Sequence, residues 1–493
     1  MTTLSIQNMT ITFNDHTEAE EILKGFNLDI AEGETVGVVG ESGSGKTTLA
    51  LAVMGLLKRH AAIEEGGMLF EDQDLTKLDR AELRGIQGNE IAMIFQEPMT
   101  ALNPTMRIGR QVEEALRVHT TLEPAARKEK AYKALRDAEL DPDEVYDKYP
   151  HELSGGMRQR AMIAAAIITR PKLLIADEPT TALDVSTQKQ ILALLKKLNR
   201  KYRMAILFIS HDLKAVEGLC DRVVVTRYGA IVEQGTVEEI FRAPKAAYTK
   251  ELLNAYPDKS VTSPDREEPV LTVKDLKAWY EGRQILKGVS FTVYKNEALG
   301  LVGESGCGKS TLARCIMGFM KKTEGEIRHY TEYPQMVFQD PYSSLNPARK
   351  ISWILEEPLR ARKNLRGSER LELVRKSLAK VGLDDSFLGR YPDQLSGGQR
   401  QRVSIALALI AGSRFIVIDE GLSALDVTIQ GQIIRLLEEL QKEYSLSYLF
   451  ISHDLDVVSR ICDRVLIMKD GKVLEAGSES GGFHGYFTSE NIS

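Results

Sequence analysis

The stretch Gly40-Glu41-Ser42-Gly43-Ser44-Gly45-Lys46-Thr47-Thr48 returns later in the chain as Gly303-Glu304-Ser305-Gly306-Cys307-Gly308-Lys309-Ser310-Thr311. The reading of this doubled string decides the fold. Glycines at the first, fourth and sixth positions let the backbone take positive φ and bring successive N–H groups onto an anion with no side chain in the way. The lysine then reaches the β- and γ-phosphates of a nucleotide, and Thr47 or Ser310 offers a hydroxyl to Mg2+. An apolar β-type run, Thr35-Val-Gly-Val-Val, leads into the first loop, and a helical pattern follows from Thr47 to about Lys58. Strand, loop and helix in that order predict an α/β nucleotide-binding core.

Working outward from the two loops, the same later motifs follow each in the same order. Lys46 maps to Lys309 at an offset of 263, Gln96 to Gln339 at 243, and Ser154, Asp177 and His211 to Ser396, Asp419 and His453 at 242. The chain is therefore two domains fused head to tail, and the second is 20 residues shorter between its loop and its glutamine. The missing part corresponds to a polar hairpin and helix around Glu71 to Asn89, a surface excursion whose loss spares the core. A length of 493 residues also exceeds what one hydrophobic core supports;. The polar, proline-punctuated stretch from Tyr256 to Pro269 reads as the connection, with the boundary near Ser263. The expected organisation is a first domain over 1–256, a linker over 257–269, a second domain over 270–478 and a flexible tail over 479–493.

Apolar residues make up 43% of the chain and charged ones 27%, so both halves bury sizeable cores;. A net charge of −6 argues against a general polyanion binder, which needs clustered Lys and Arg, so no nucleic-acid partner is expected;. The longest nearly apolar stretch, 161–169, is too short to span a membrane, and the first ten residues lack the features of a signal peptide. The four cysteines, Cys220, Cys307, Cys315 and Cys462, show no metal-ligand spacing and read as reduced thiols;. Cys307 lies among loop N–H groups that would favour a thiolate and lower its pKa, although a small residue simply tolerated in the loop is the favoured reading.

Apolar runs ending in charged or polar residues carry the remaining chemistry. Leu173-Leu-Ile-Ala-Asp177 and Phe415-Ile-Val-Ile-Asp419 suit central parallel strands, with Glu178 and Glu420 just beyond. Ligand sites in α/β sheets form at that carboxyl edge. The aspartate there can hold Mg2+ and the glutamate can orient the attacking water; standing alone, the pair would read equally as a helix cap. His211 and His453 each close the string Phe-Ile-Ser-His after another apolar run, which places both imidazoles at the same edge. Gln96 and Gln339, after Met-Ile-Phe and Met-Val-Phe, can meet Mg2+ or water through their amides. Residues 104–149 carry helical, charge-rich stretches such as Glu123 to Asp137 and no strand pattern, so a separate helical subdomain is expected. Leu153-Ser154-Gly155-Gly156-Met157 and Leu395-Ser396-Gly397-Gly398-Gln399 each open an apolar helix, whose free N–H groups and positive end suit an anion.

This tetrad downstream of a phosphate loop, followed by Asp-Glu, Ala-Leu-Asp and Ser-His-Asp, resembles the ATP-binding cassette ATPases across nearly the whole chain, twice. The resemblance implies two tandem P-loop NTPase domains, each a RecA-like core with a helical subdomain, and ATP and Mg2+ as cofactors. It implies composite sites in which one domain's signature completes the other's phosphate site. Site one would join Lys46, Glu178 and His211 to Ser396, Gly397 and Gly398. Site two would join Lys309, Glu420 and His453 to Ser154, Gly155 and Gly156. Phe13 and Tyr280 fall where the family stacks adenine, with burial in the core as the other reading. Met157 in place of the usual signature glutamine, and Gly421 where the first half has Pro179, depart from the pattern without touching phosphate.

The strings Phe95-Gln-Glu-Pro-Met-Thr-Ala-Leu-Asn-Pro104, Phe338-Gln-Asp-Pro-Tyr-Ser-Ser-Leu-Asn-Pro347 and Pro244-Lys-Ala-Ala-Tyr-Thr resemble the dipeptide, oligopeptide and nickel importer branch. That branch implies an ATPase on the cytoplasmic face of the membrane, energising two permease subunits fed by an extracellular or periplasmic binding protein. A tandem cassette acting on ribosomes or DNA is the competing reading. Such proteins usually carry a long charged linker or metal-binding cysteines, which this chain lacks.

Overall fold

The computed structural model describes residues 2–15, 18–41, 43–58, 60–181, 183, 185–253, 265–304, 306–320, 323–338, 344–360, 365–422, 427–452 and 455–476. Ser42, Ser305, Gln339, His453 and the tail 479–493 lie outside the described residues. The chain divides into two units, Met1–Asn254 and Ala255–Ser493.

In the first unit the strands are β1 (Thr2–Asp15), β2 (Glu18–Ala31), β3 (Thr35–Gly40), β4 (Ala61–Phe70), β5 (Gln73–Asp74), β6 (Ile91–Ile94), β7 (Leu173–Asp177), β8 (Ala205–Ile209), β9 (Arg222–Arg227) and β10 (Ala230–Thr236). They form a six-stranded sheet in the order β10-β9-β3-β8-β7-β6 and a four-stranded sheet in the order β2-β1-β4-β5. From β9 to β6 the neighbours run parallel, and only the hairpin strand β10 is reversed. Every residue of β3, β6, β7 and β8 is buried. Side chains alternate across a strand, so each supplies two cores. Leu173 and Ile175 join the cluster under β1, β2 and β4, whereas Leu174 and Ala176 join the cluster under the helices. Each such Leu or Ile contributes about 1.5–3 kcal/mol on burial.

The second unit repeats this plan with β11 (Asp265–Tyr280), β12 (Arg283–Lys295), β13 (Ala298–Val302), β14 (Thr323–His329), β15 (Gln335–Val337), β16 (Phe415–Asp419), β17 (Ser447–Ser452), β18 (Arg464–Lys469) and β19 (Lys472–Ala476). Its sheets run β15-β16-β17-β13-β18-β19 and β12-β11-β14. Phe415 and Val417 face one core, and Ile416 and Ile418 the other. Residues 330–334 connect β14 to β15 directly, where the first unit inserts β5 and a helix over Arg80–Ile86. The shortening expected from the repeat offset thus falls on this excursion, although Leu75 and Ile86 within it pack into the core beneath β1, β2 and β4.

Two expectations shift. The helix after the first phosphate loop covers Lys46–Val53 and stops short of Lys58. Gly55 takes φ 65°, its N–H bonds Ala52 O at 2.9 Å, and Leu56 N–H bonds Leu51 O at 2.7 Å, a left-handed cap that closes the helix;. The counterpart, Lys309–Ile316, ends the same way at Gly318. Strand β11 begins at Asp265, inside the stretch read as linker, because 265–269 pair with the far end of β12. Between β6 and β7, residues 98–167 fold as a run of helices, and 351–360 and 367–410 do so between β15 and β16. Among the described residues, no helix is long and apolar enough to cross a membrane.

Candidate functional site

Because β3, β7 and β8 are parallel neighbours, their carboxyl ends bring Gly40, Asp177 and the residues after Ile209 to one edge;. The phosphate loop leaves β3 there. Gly43 and Gly45 take φ 83° and 89°, and a Cβ on Gly45 would fall 2.6 Å from Leu23 Cδ2 and 2.8 Å from Ile22 O. A Cβ on Gly40 would fall 2.2 Å from Thr226 O, so both ends of the loop press on backbone or packed side chains and admit only glycine. The Lys46 ammonium is buried and donates to Gly40 O at 2.8 Å and Glu41 O at 2.7 Å, which aims it across the loop mouth. In the second unit Lys309 donates to Gly303 O at 2.7 Å and Glu304 O at 2.9 Å. Thr48 and Thr311 lie in the first turn of the two helices.

Thr47 Oγ1 stands 3.4 Å from Asp177 Oδ1, and Ser310 Oγ stands 3.4 Å from Asp419 Oδ1. A hydroxyl and a carboxylate converging beside a phosphate loop form the hard-oxygen set that Mg2+ takes, with water and phosphate completing the shell, so the residues fit that ion. Burial pushes the Asp177 carboxyl up to about 6, against the Thr47 bond. Asp419 is raised for the same reason.

Glu178 and Glu420 both adopt φ 48°, an unusual conformation for a non-glycine residue, held by their N–H bonds to Ile209 O and Ile451 O at 2.8 Å;. That turn lifts each carboxylate off the strand axis toward the edge. Glu178 Oε1 is 3.2 Å from His211 Nδ1, and Glu178 Oε2 accepts from Gln96 Nε2 at 2.8 Å and Thr181 Oγ1 at 3.0 Å. Burial alone would raise the Glu178 carboxyl, yet His211 and Thr181 hold it below the ordinary value. Burial likewise opposes the charged His211, and Glu178 overcomes it and raises that imidazole. The glutamate therefore stays ionised in an enclosed place, as a group that orients water must. In the second unit Glu420 Oε1 lies 4.0 Å from Lys309 Nζ.

The signature serines are helix caps. Ser154 and Ser396 each accept a bond at 3.3 Å from the N–H three residues on, Met157 or Gln399, at the head of helices Gly155–Ile167 and Gly397–Ile410. Gln399 Oε1 in turn accepts from Ser396 N–H at 3.0 Å, which Met157 has no means to do. Ser154, Gly155, Ser396 and Gly397 are exposed, whereas Gly156 and Gly398 pack on Thr187 and Ile429, where a Cβ would approach to 2.7 and 2.6 Å. The serine tips present unbonded helix N–H groups outward.

Tyr280 is 55% exposed at the end of β11, and Phe13 is half-buried with its ring 6.2 Å from that of His60. Cys307 departs from the low-pKa expectation: burial pushes its thiol up, and Lys309 offsets this only in part. The residue beneath it explains why a thiol sits there. Ser44 shares a hydrogen bond of 3.1 Å with Thr226, a pair that the second unit replaces by Cys307 and Met468, exchanging a polar contact for an apolar one. Thr226 and Thr181 escaped the sequence reading. Thr226 sits on a strand far along the chain with no motif to mark it, whereas Thr181, three residues past Glu178, lay within reach of a local-spacing argument.

The profile of the ABC transporter family matches residues 23–181 and 286–423. The peptidoglycan transport ATP-binding protein YejF of Agrobacterium fabrum is 40% identical, covering 96% of this chain and 92% of its own length. The glutathione import ATP-binding protein GsiA of Escherichia coli K12 is also 40% identical, over 96% of this chain and 86% of its own. Among solved structures, an RNase-L inhibitor matches 95% of this chain and 90% of its own with a TM-score of 0.65 at 21% identity, which is a likeness of fold. With both loops, both aspartate–glutamate strand ends and both signature helices in place, the chain belongs to the ABC transporter family and carries two of its ATP-hydrolysing cassettes in tandem.

Proposed function

We propose that this chain is the ATPase of an importer that takes up peptides, acting on the cytoplasmic face of the membrane with two permease subunits and an extracellular or periplasmic binding protein. The observation that carries the reading is the doubled, undamaged set of catalytic groups joined to the branch-specific strings 95–104 and 338–347. Glutathione is itself a peptide, so the names of the similar proteins favour peptide cargo; nickel or metal chelates rest on the branch resemblance alone.

Two composite sites follow from this reading. Lys46, Glu178 and His211 work with Ser396, Gly397 and Gly398, and Lys309, Glu420 and His453 work with Ser154, Gly155 and Gly156. In each, the loop and lysine hold the phosphates while the exposed helix tip of the other unit grips the γ-phosphate from the far side. Glutamate polarises water, and the histidine steadies the glutamate and the leaving charge. Thr47 and Asp177, or Ser310 and Asp419, would hold Mg2+, which would supply charge neutralisation at the β- and γ-phosphates, with Gln96 and Gln339 alongside. Phe13 and Tyr280 stack on adenine. ATP closes the pair, hydrolysis reopens it, and the helical subdomains pass the motion to the permeases.

Purification of the tagged chain from native membranes tests the reading. Two polytopic membrane proteins are expected to accompany it. ATPase activity stimulated by ribosomes, with no membrane partner recovered, would overturn it.

A further inference from the structure

Among the described residues, Gln401 is 1% exposed and its Oε1 has no hydrogen-bond partner; Gln159, at the same place in the first unit, is 2% exposed with an unpartnered Nε2. Buried amides are almost always bonded, so an orphan recurring at one position in both units asks for a reason beyond packing. Each lies on a signature helix, just over one turn past the capping serine. In the second unit the surroundings are informative. A Cβ placed on Gly421 would fall 2.8 Å from Gln401 Nε2, 3.1 Å from Ile418 Cγ2 and 3.6 Å from Val337 Cγ1. The amide thus rests against the turn that follows Glu420 and beside the end of β15, the strand that feeds the Phe338-Gln339 motif. Gly421 stands where the first unit has Pro179, and its missing side chain makes the room that the amide fills.

We propose that Gln401 and Gln159 are positioning residues that couple the two ATP sites, each linking its signature helix to the catalytic glutamate of its own unit. The inference rests on the composite-site reading, in which the helix tip of the second unit serves site one while Glu420 serves site two. Gln401 then joins the anion grip of one site to the water-orienting base of the other. When the tip closes on phosphate, the helix moves as a body and carries the amide with it. Gln401 Oε1 then accepts from a backbone N–H of the glutamate turn, Gln159 Nε2 donates to a backbone carbonyl there, and each sets its carboxylate. An amide suits this task because it is uncharged, so burial is tolerated, and it carries both donor and acceptor.

The test uses the full chain carrying Glu178→Gln, so that turnover reports site two. Adding Gln401→Met keeps side-chain length and removes the amide. Turnover is expected to fall about tenfold, as for a misplaced catalytic group. The Hill coefficient for ATP is expected to drop from above one to one, with ATP affinity unchanged. The melting temperature should hold or rise, since apolar volume replaces an orphaned polar group. Gln159→Met with Glu420→Gln should mirror this at site one. Parental turnover and cooperativity in a folded Gln401→Met chain, a parent without cooperativity, or activity loss that merely follows a lower melting temperature in both variants would overturn the coupling. Gly398→Asp separates the two readings. If it leaves site-one ATP binding intact, composite sites and coupling fall together. If it blocks that binding while Gln401→Met behaves as the parent, only the coupling falls.

Discussion

Glu178 and Glu420 are held at φ 48° by strand-ladder bonds to Ile209 and Ile451, and this local strain aims each carboxylate out of the sheet. The Glu178 carboxylate is also kept ionised by His211 and Thr181 against its burial. Replacing both glutamates by glutamine keeps volume and hydrogen-bonding atoms but removes the base. The double variant is expected to hydrolyse ATP about a thousandfold more slowly, roughly 4 kcal/mol of barrier, while still binding ATP. Steady-state phosphate release beside nucleotide-binding titration measures both parts; wild-type turnover would remove glutamate from the role of base.

The two signature helices differ at one position of their first turn. Ser396 and Gln399 exchange two bonds, whereas Ser154 receives one from the Met157 N–H and gets none back. Gln399→Met copies the first helix into the second and is expected to cost about 0.5–1 kcal/mol in denaturant melts, the net worth of one hydrogen bond. The helical subdomain of the first unit is tied to its core by Asp137, which accepts from Lys201 Nζ at 2.5 Å and from the Tyr202 hydroxyl. Burial would raise the Asp137 carboxyl, but Lys201 and Tyr202 hold it below the ordinary value. A carboxylate depressed in the folded state stabilises above its unfolded pKa and stops doing so as the pH falls through the folded value. Asp137→Asn should therefore lower stability by about 1 kcal/mol at neutral pH. The gap to the parent should close as the pH drops below about 4. A gap independent of pH would mean that the ion pair contributes nothing.

Each unit carries its own pair of hydrophobic clusters, one on each face of its six-stranded sheet, so each contains what folding requires. Catalysis is another matter if, as proposed, the helix tip at Ser154 serves the loop of the other unit. Residues 1–254 expressed alone are expected to melt cooperatively yet to hydrolyse ATP at least about a hundredfold more slowly than the full chain when verified monomeric. Brisk turnover by the monomeric half, followed by phosphate release at matched concentration, would sink the composite site.

From the residues alone, the phosphate loops, the aspartate–glutamate strand ends and the signature caps were legible, because each is a local string whose φ, capping or burial demand is met by its own neighbours. Strands at 173–177 and 415–419 were legible for the same reason: a short run apolar on both faces has few places to go but the middle of a covered sheet. The 20-residue offset between the repeats likewise foretold the absence of the hairpin strand and helix after β14. Tertiary structure alone decided that Thr226 lies under Ser44 and Met468 under Cys307, that burial raises the Cys307 thiol, and that Gln401 rests on the turn after Glu420. Those contacts join residues far apart in the chain, where no periodicity or spacing marks a partner and only the packed sheet brings them together.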